Sequence, residues 1–274
     1  MEPSSHDPST TRGTKRGLGL AVAAPEEVIL AGAAAASSHG YTSFWLNNPP
    51  NSTALRSLAQ VAEEMPALPL GVGVIPLAAH QPVEIVEEVE SNRLPQERLY
   101  LGIGSGSGPG GVDRVRHGVR ALRAELTCDL VVAALGPKMC RLAGAEADGV
   151  LFNWLTPAWA SRSIEWVRAG AEHAGCPMPR LRAYVRVALG DQAIARLQGE
   201  AGTYEGYPAY AAHFKRMGVS AMGTAVTGAT PQELRTGLAA WDGVVDELVI
   251  RAMTAEDTVE EVDRLIEAAS PEMW

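Results

Sequence analysis

The sequence predicts a parallel (β/α)₈ barrel, and three observations lead to that fold class. Short apolar runs alternate with longer helix-type stretches from about residue 17 onward. The runs, such as Leu130-Val131-Val132-Ala133, lack two-residue alternation, which is typical of strands covered on both faces in a parallel sheet. Eight such β-then-α units in about 260 residues match the length of an eight-stranded barrel, whereas a doubly wound sheet usually has fewer strands.

The predicted strands follow one another without a change in composition that would mark a linker. They cover residues 17–23, 41–47, 68–75, 98–104, 129–134, 148–153, 181–189 and 244–251. The predicted helices lie between them and cover residues 25–38, 52–65, 82–91, 113–126, 138–146, 157–174 and 258–269, with a long helical region over 192–240.

Helix-end signals support these helices independently of the strand count. Pro25 precedes Glu26 and Glu27, a combination that favours a first helical turn, and Gly40 lies just past the expected end of that helix. Thr230 and Glu233 have the spacing of a capping box, which predicts another helix start.

Composition and charge exclude some classes of partner. The 274 residues include 23 Lys and Arg against 32 Asp and Glu, a net charge of −9, so nucleic acid is not an expected partner. Cys128, Cys140 and Cys176 contain no Cys-x-x-Cys pair. Neither a disulfide framework nor a zinc or other metal site is predicted, and we expect the three thiols to be buried.

The predicted domain organisation has two parts. Residues 1–16 are expected to be a disordered arm, because the first fifteen are rich in Ser, Thr and Pro and lack the apolar core of a signal peptide. Residues 17–274 are expected to form one barrel domain. No apolar run is long enough to span a membrane, so we expect a cytoplasmic protein without a membrane partner.

The barrel predicts chemistry in the loops that follow the strands, at the carboxyl ends. Those positions are rich in glycine, amides and a few cations, whereas Asp191 is the one carboxylate among them and histidine is absent. This composition argues against a hydrolase built on paired acids or a histidine base. A phosphate-sugar isomerase or aldolase is also disfavoured, since no strand end carries a convincing Schiff-base lysine.

A glycine-rich loop over residues 104–111 follows the fourth predicted strand. Gly104, Ser105 and Gly106 begin this loop, and the glycines let backbone N–H groups approach an anion closely because no Cβ intervenes. The pattern therefore indicates a phosphate-bearing cofactor, although a flexible surface loop would also be rich in glycine.

Several segments resemble the bacterial-luciferase-like superfamily. The most specific is residues 136–150, which contains Gly136-Pro137-Lys138-Met139 and Ala147-Asp148-Gly149-Val150. The glycine-rich loop adds support, and the similarity over residues 40–45, 70–74 and 98–103 is generic. The resemblance runs from about Gly17 to Arg251. Within the superfamily the chain is most similar to the coenzyme F420-dependent oxidoreductases that include methylenetetrahydromethanopterin reductase.

The resemblance implies a barrel that carries a deazaflavin or a flavin. In such proteins the ring lies against a bulge in the third strand that contains a cis peptide bond, and the matching bond here is Gly73–Val74. The cofactor phosphate would bind the amides of the glycine-rich loop together with Gly136 and Pro137. The Lys138 ammonium would be the cationic partner, and Asn153 matches a position that contacts the cofactor in relatives.

Two features depart from the family pattern. Several relatives end the second strand with an acidic residue followed by a proton-transferring histidine, whereas this chain has Asn47 and Asn48, whose amides cannot act as a general base near neutral pH. We assign Asn47, Asn48 and Trp154 to the reaction site, since amides can position a carbonyl and an indole can stack on a ring. Residues 112–127 replace the longer insertion that most relatives carry after strand four.

An aromatic-rich stretch, residues 204–214, follows the seventh strand, and it indicates a pocket wall, helix packing or an oligomer interface. Arg186 and Arg251 lie inside or at the end of strands, where a charge must be paired, and they could orient an anionic substrate or the cofactor tail.

The predicted function is hydride transfer between coenzyme F420 and a small organic substrate. An FMN-dependent monooxygenase is the nearest enzymatic alternative, and a barrel that binds a flavin-like ligand without turnover is the alternative of another class. By analogy with relatives, we expect a homodimer.

Overall fold

The computed structural model describes residues 14–52 and 54–271. Within these ranges all strands pair in parallel. The strands are β1 (Lys15–Leu20), β2 (Ser43–Leu46), β3 (Leu70–Pro76), β4 (Leu99–Gly104), β5 (Asp129–Ala133), β6 (Gly149–Asn153), β7 (Arg180–Leu189), β8 (Val226–Gly228) and β9 (Glu247–Met253).

Helices follow the strands in the order that a (β/α)₈ barrel requires. They are α1 (Glu26–Ser38), α2 (Ala54–Glu64), α3 (Pro82–Ser91), α4 (Gly111–Glu125), α5 (Pro137–Glu146), α6 (Pro157–Ala174), α7 (Asp191–Glu205), α8 (Pro208–Met217), α9 (Pro231–Ala239) and α10 (Val259–Ala268).

Eight of the strands close into a ring, so the predicted (β/α)₈ barrel is confirmed. Strands β1 to β7 pair with their neighbours in chain order, and β9 closes the ring between β7 and β1. The short strand β8 pairs only with the carboxyl end of β7. It was not predicted, and it divides the long helical region over 192–240 into α7, α8 and α9.

The predicted boundaries differ from the observed ones mainly at the first and last strands. Strand β1 begins at Lys15 and ends at Leu20, so residues 15 and 16, assigned to the arm, belong to the barrel. Residues 1–13 lie outside the described ranges. Strand β9 runs from Glu247 to Met253 rather than over 244–251.

The helix-end signals correspond to real caps. Helix α1 follows Pro25, and Gly40 after it has a φ of 76°. In α9 the Thr230 hydroxyl accepts a hydrogen bond from the Glu233 amide at 3.3 Å, and the Glu233 carboxylate accepts one from the Thr230 amide at 3.3 Å. These reciprocal bonds satisfy amides that a helix start otherwise leaves unpaired.

The strands bury side chains on both faces, as the continuous apolar runs predicted. One face packs against the helices in a large cluster that includes Leu18, Val132 and Ile250. The other face fills the inside of the barrel with Trp45, Val131, Leu151, Tyr184 and Val249, against which Val74 and Tyr100 pack.

The amino end of the barrel interior holds a buried ion pair. Arg182 Nε lies 2.8 Å from a Glu247 carboxylate oxygen, and the second carboxylate oxygen accepts hydrogen bonds from Thr42 and Ser43. The guanidinium carbon of Arg182 lies 4.1 Å from the centroid of the Tyr100 ring. These contacts give a buried carboxylate the partners that it requires.

Three further sequence-based expectations concern cysteines, membranes and the segment after β4. Cys128 and Cys140 are buried as predicted, but Cys176 is exposed because it follows the end of α6 at Gly175. Among the described residues no helix is long and apolar enough to cross a membrane. Only α4 and its flanking loops connect β4 to β5, so this connection is short.

Candidate active site in the barrel mouth

One wall of the barrel mouth is built from small residues on β3, β4 and β5. The Gly73–Val74 peptide bond is cis, as the resemblance predicted, and the pairing of β3 with β4 is interrupted between Val72 and Ile75. Val74 points into the barrel, where a Cβ on Gly104 would lie 2.9 Å from its methyl group and 3.7 Å from the Cβ of Ala133. Val74 and Ala133 are half-buried although they face the interior, so this wall is open to solvent.

The glycine-rich loop leaves β4 directly above this wall. Gly106, Gly108 and Gly110 have positive φ angles, and a Cβ on Gly106 would lie 2.6 Å from the Cβ of Ala78. Arg114 of α4 donates hydrogen bonds to the Ser105 and Pro109 carbonyls, each at 2.9 Å.

These bonds engage the carbonyl side of the loop and leave the amide side free. Within the described ranges, no N–H group of residues 105–108 or of Gly110 donates to another protein group. Successive free amides in such a turn form an anion-binding concavity.

The next loop along the barrel follows β5 and contains three predicted cofactor residues. Gly136 is the N-cap of α5 and provides no side-chain cap, which leaves the first amides of that helix available to an anion. Pro137 begins the helix, and Lys138 is exposed.

The cation beside this loop is one that sequence reasoning missed. A guanidinium nitrogen of Arg216 lies 3.5 Å from where a Cβ on Gly136 would be. Arg216 comes from the last turn of α8, far along the chain, so no local pattern could have placed it beside Gly136.

The opposite wall of the mouth is polar and is centred on Arg186 of β7. Arg186 Nε lies 2.9 Å from a carboxylate oxygen of Glu200 on α7, and another guanidinium nitrogen donates to the Asn153 side-chain oxygen. The Asn153 side-chain amide is 3.4 Å from the Tyr210 hydroxyl. The predicted cofactor residue Asn153 is thus held by its neighbours with a fixed orientation at the end of β6.

Helices α7 and α8 cover this polar wall with aromatic side chains. The Arg186 guanidinium carbon lies 3.7 Å from the centroid of the Trp154 ring and 5.1 Å from that of Tyr204. Trp154 is 1% exposed and contacts the rings of Tyr204 and Phe214. The structure therefore places Trp154 in a packed cover rather than on an open surface.

His213 of α8 connects the aromatic cover to the loop after β6. Its Nε2 lies 2.9 Å from the Trp154 carbonyl oxygen, and the residue is fully buried. Burial lowers the pKa of the imidazole below its usual value, and the nearby Arg216 charge lowers it further. The imidazole is therefore neutral at neutral pH.

Tyr184 of β7 faces the barrel interior, and the charge of Arg251 on β9 acts on its hydroxyl. Tyr184 is buried and its hydroxyl has no hydrogen-bond partner among the described groups. Burial raises the pKa of Tyr184 to about 12, although the charges of Arg251 and Arg186 act in the opposite direction. The period-two alternation of Arg182, Tyr184 and Arg186 along β7 is a sequence signal that would have placed all three inside the barrel.

The side-chain oxygens of the two predicted asparagines accept hydrogen bonds from the backbone. The Asn47 side-chain oxygen accepts a hydrogen bond from the Val22 amide at 2.9 Å. The Asn48 side-chain oxygen accepts one from the Ala54 amide, at the start of α2, at 3.1 Å, and Asn48 is 5% exposed. Their described contacts are those of loop-fixing residues, and their assignment to the reaction remains a prediction.

A separate groove lies at the other end of the barrel. Its volume is about 850 Å³, and it runs between α6 and residues 243–246, beside Lys15 and Leu181 at the starts of β1 and β7. Chemistry on this fold takes place at the carboxyl ends of the strands, so we assign the candidate site to the mouth.

The fold and the mouth define a (β/α)₈ barrel with an open carboxyl end. A family model described as luciferase-like monooxygenase matches residues 123–270, which is more than half of the chain. The protein therefore belongs to the luciferase-like monooxygenase family, and the resemblance seen in the sequence is confirmed. No curated protein matches the chain by sequence.

Solved structures of low sequence identity share the fold over almost the whole chain. An F420-dependent secondary alcohol dehydrogenase, in complex with an F420-acetone adduct, is 14% identical over 93% of this chain and 99% of its own, with a TM-score of 0.74. The coenzyme F420-dependent tetrahydromethanopterin reductase of Methanopyrus kandleri is 16% identical over 92% and 98% of the two chains, with a TM-score of 0.71. An FMN complex of the oxygenating constituent of 3,6-diketocamphane monooxygenase, from a Pseudomonas putida plasmid, is 14% identical over 94% and 97%, with a TM-score of 0.70.

Proposed function

We propose that the protein is an oxidoreductase that binds coenzyme F420 in the barrel mouth and exchanges a hydride with a small organic substrate. The observation that carries this proposal is the small-residue wall of Val74, Gly104 and Ala133, which faces the open mouth of a luciferase-like barrel. A flat ring needs such a surface, since a larger side chain at any of these positions would occupy its place.

The residues present fit both ends of a phosphorylated deazaflavin. The apolar wall suits the ring, and the free amides of residues 105–108 suit the phosphate. Gly136, the first amides of α5 and the Arg216 guanidinium add donors and positive charge beside that loop. Lys138, which is exposed in the first turn of α5, remains a candidate partner for the same anion.

The chain's own part in the reaction is positioning and exclusion of water. Bound in the mouth, F420 supplies the two-electron hydride chemistry. The Arg186, Glu200 and Asn153 network holds the polar wall rigid, and the aromatic cover closes that side to solvent. Orientation of two reactants in one site accounts for a large part of the rate in such enzymes.

The test is a cofactor titration followed by anaerobic turnover. We expect F420 to quench tryptophan fluorescence with submicromolar affinity, and F420 reduced beforehand to be oxidised only when a substrate is added. Tight binding of FMN alone would overturn the preference for F420. Tight F420 binding without turnover across a broad panel of carbonyl and alkene substrates would identify a binding protein instead.

The FMN-dependent monooxygenase is the second candidate. Membership in the luciferase-like monooxygenase family favours it, and FMN has the same two binding requirements, a flat ring and a phosphate. Oxygen consumption coupled to substrate oxidation, in the presence of FMN and a reductant, would support this candidate over hydride transfer to F420.

The Ala133→Leu substitution tests whether the ring lies on the small-residue wall. Ala133 is half-buried and faces the mouth, so a leucine fills the mouth without entering the packed core. We expect at least tenfold weaker cofactor binding in a fluorescence titration, with an unchanged unfolding temperature.

Ala158→Leu is the matched control for this test. Ala158 is exposed in the first turn of α6, and its substitution should leave cofactor affinity unchanged. Equal affinities of wild type and A133L would place the ring elsewhere.

A further inference from the structure

Arg251 is a buried cation without an acidic partner among the described residues. It is 5% exposed, and it forms no ion pair with a carboxylate within the described ranges. Its one hydrogen bond goes to the carbonyl of the adjacent Ala252. A buried guanidinium in this situation lacks the compensation that burial of a charge requires.

The carboxylates nearest to this position along the fold are already engaged. Glu200 pairs with Arg186 at 2.9 Å, and Asp257 pairs with Arg196 at 2.6 Å. Arg251 and Arg186 are also direct neighbours across the β7–β9 pair, so a second positive charge lies beside Arg251 rather than a negative one. Burial raises the pKa of Asp257, but hydrogen bonds from Arg196 and Thr254 and the charges of Arg196 and Arg251 together lower it, so Arg251 acts on this carboxylate without bonding to it. Within the described ranges no carboxylate oxygen forms an ion pair with Arg251.

The side chain of Arg251 faces the inside of the barrel. Strand β9 alternates, with Val249 in the interior cluster and Ile250 in the outer one, so Arg251 returns to the interior face. Its neighbour across β1 is Gly19, which has no side chain to fill the space between them. The unpartnered hydroxyl of Tyr184 reaches the same region, because a Cβ on Gly19 would lie 2.9 Å from it.

The position of β9 in the ring separates Arg251 from the phosphate loop. Following the ring, β9 is four strands away from β4 in either direction, so the two strands lie on opposite sides of the barrel. A cofactor tail held by residues 105–108 is thus on the far side from Arg251. An anion at Arg251 therefore belongs to the molecule that shares the mouth with the cofactor.

We propose that Arg251 binds a carboxylate of the substrate, with the Tyr184 hydroxyl as a second donor, so that the substrate class is a small carboxylic acid. This proposal rests on the proposed function, because it assigns the substrate of that site. A guanidinium presents a planar fork of donors that matches a carboxylate, and the uncharged phenol donates without adding a charge of its own.

The experiment measures binding of simple carboxylates to the full chain, with and without bound cofactor. Acetate, benzoate and octanoate are each compared with the corresponding primary amide by the shift in unfolding temperature. We expect at least one carboxylate, and not its amide, to raise the unfolding temperature of the wild type. Arg251→Gln should weaken that carboxylate at least tenfold, while its affinity for F420 or FMN stays within threefold of the wild-type value.

Matched variants separate the effect of Arg251 from a loss of folding or of general positive charge. Arg120→Gln removes an arginine on α4 that pairs with Glu146 at the surface, and it should bind the carboxylate like the wild type. Tyr184→Phe removes only the hydroxyl and should weaken the carboxylate several-fold. If Arg251→Gln does not fold, Arg251→Lys is used instead. It retains the positive charge but lacks the planar pair of N–H donors, and we expect it to weaken carboxylate binding about tenfold.

Several outcomes would overturn the proposal. One is that none of the three carboxylates binds the wild type, and another is that R251Q binds the carboxylate as tightly as the wild type. A third is that R251Q loses affinity for F420 or FMN and that inorganic phosphate binds at the same residue. The last result would assign Arg251 to the cofactor tail. Failure of both cofactors to bind would instead defeat the proposed function, and the carboxylate titration of the cofactor-free protein would still test Arg251.

Discussion

At the residue scale, the mouth depends on positions where a side chain is absent. Gly104 and Gly106 bring the backbone of β4 and its loop within contact distance of Val74 and Ala78. A methyl group at either glycine would meet a neighbour at less than 3 Å, so the loop would have to move. The geometry of the free amides at 105–108 therefore depends on both glycines.

Gly106→Ala tests the role of the loop amides in phosphate binding. The added Cβ would crowd Ala78, and the φ of 66° disfavours any residue except glycine. We expect FMN or F420 to bind at least tenfold more weakly, and riboflavin or the dephosphorylated F420 head group to be much less affected, when each is titrated by fluorescence.

Gly110→Ala is the control within the same loop. Gly110 has a similar φ of 72°, but a Cβ there meets nothing within 4 Å. This variant therefore imposes the same backbone strain without a steric clash against a neighbouring residue. A loss of affinity that is the same for phosphorylated and unphosphorylated ligands would contradict the phosphate role.

At the element scale, α7 and α8 form the cover of the mouth and connect it to β6 and β7. Trp154, Phe214 and Ala188 belong to one buried cluster that is distinct from the main core. The packing interpretation of the aromatic stretch over 204–214 agrees with this cluster, although Tyr207 is half-exposed and projects from it. The neutral His213 ring makes a polar contact between α8 and the loop after β6.

The buried histidine makes the stability of the protein depend on pH. Burial lowers the pKa of His213 in the folded state, so below about pH 6.5 the unfolded chain binds a proton that the folded chain does not. This contribution to stability is complete above that pH and decreases as the pH falls, by at most about 1.4 kcal/mol per pH unit.

Urea unfolding at pH 7.5 and pH 5.5 measures this dependence. In His213→Gln the decrease in the free energy of unfolding between the two values should be smaller than in the wild type. His117→Gln, at an exposed position on α4, should retain the wild-type decrease. A wild-type pH dependence in H213Q would show that other groups are responsible.

At the scale of the whole molecule, the barrel interior has an ionic amino end and an open carboxyl end. Trp45 and Tyr184 fill space that glycines on other strands leave free: a Cβ on Gly71 would lie 2.2 Å from the Trp45 ring, and one on Gly19 would lie 2.9 Å from the Tyr184 ring. The Arg182–Glu247 pair then closes the amino end. The open end of the interior is therefore the carboxyl end, where small residues meet solvent.

Glu247→Gln tests how much the buried pair contributes to the closed barrel. It removes the charge that balances Arg182, whose side chain is 3% exposed, so we expect a loss of about 3–5 kcal/mol in the free energy of unfolding. Glu146→Gln, which breaks pairs with Arg116 and Arg120 at the surface, should cost at most about 1 kcal/mol. Similar losses in the two variants, measured by denaturant titration, would contradict a special role for the buried pair.

Local sequence determined the elements of the barrel and their order. Apolar runs, capping residues and helix-end glycines act over a few neighbouring residues, so the eight barrel strands could be located within a few positions. The resemblance added the cis bond at Gly73–Val74, which propensity alone does not indicate. Strand β8 was missed because three residues at the edge of β7 carry no periodic signal.

Tertiary structure alone decided which of the predicted site residues face the mouth and what surrounds them. Asn47 and Asn48 bond to backbone, Trp154 is covered, and Arg216 lies beside Gly136 although 80 positions separate them in the chain. Sequence placed Arg186 and Arg251 on strands, but their partners come from other elements: Glu200 pairs with Arg186, and no described carboxylate pairs with Arg251. The physical reason is that charge pairing and burial depend on distances between elements, whereas strand and helix formation depends on neighbours in the chain.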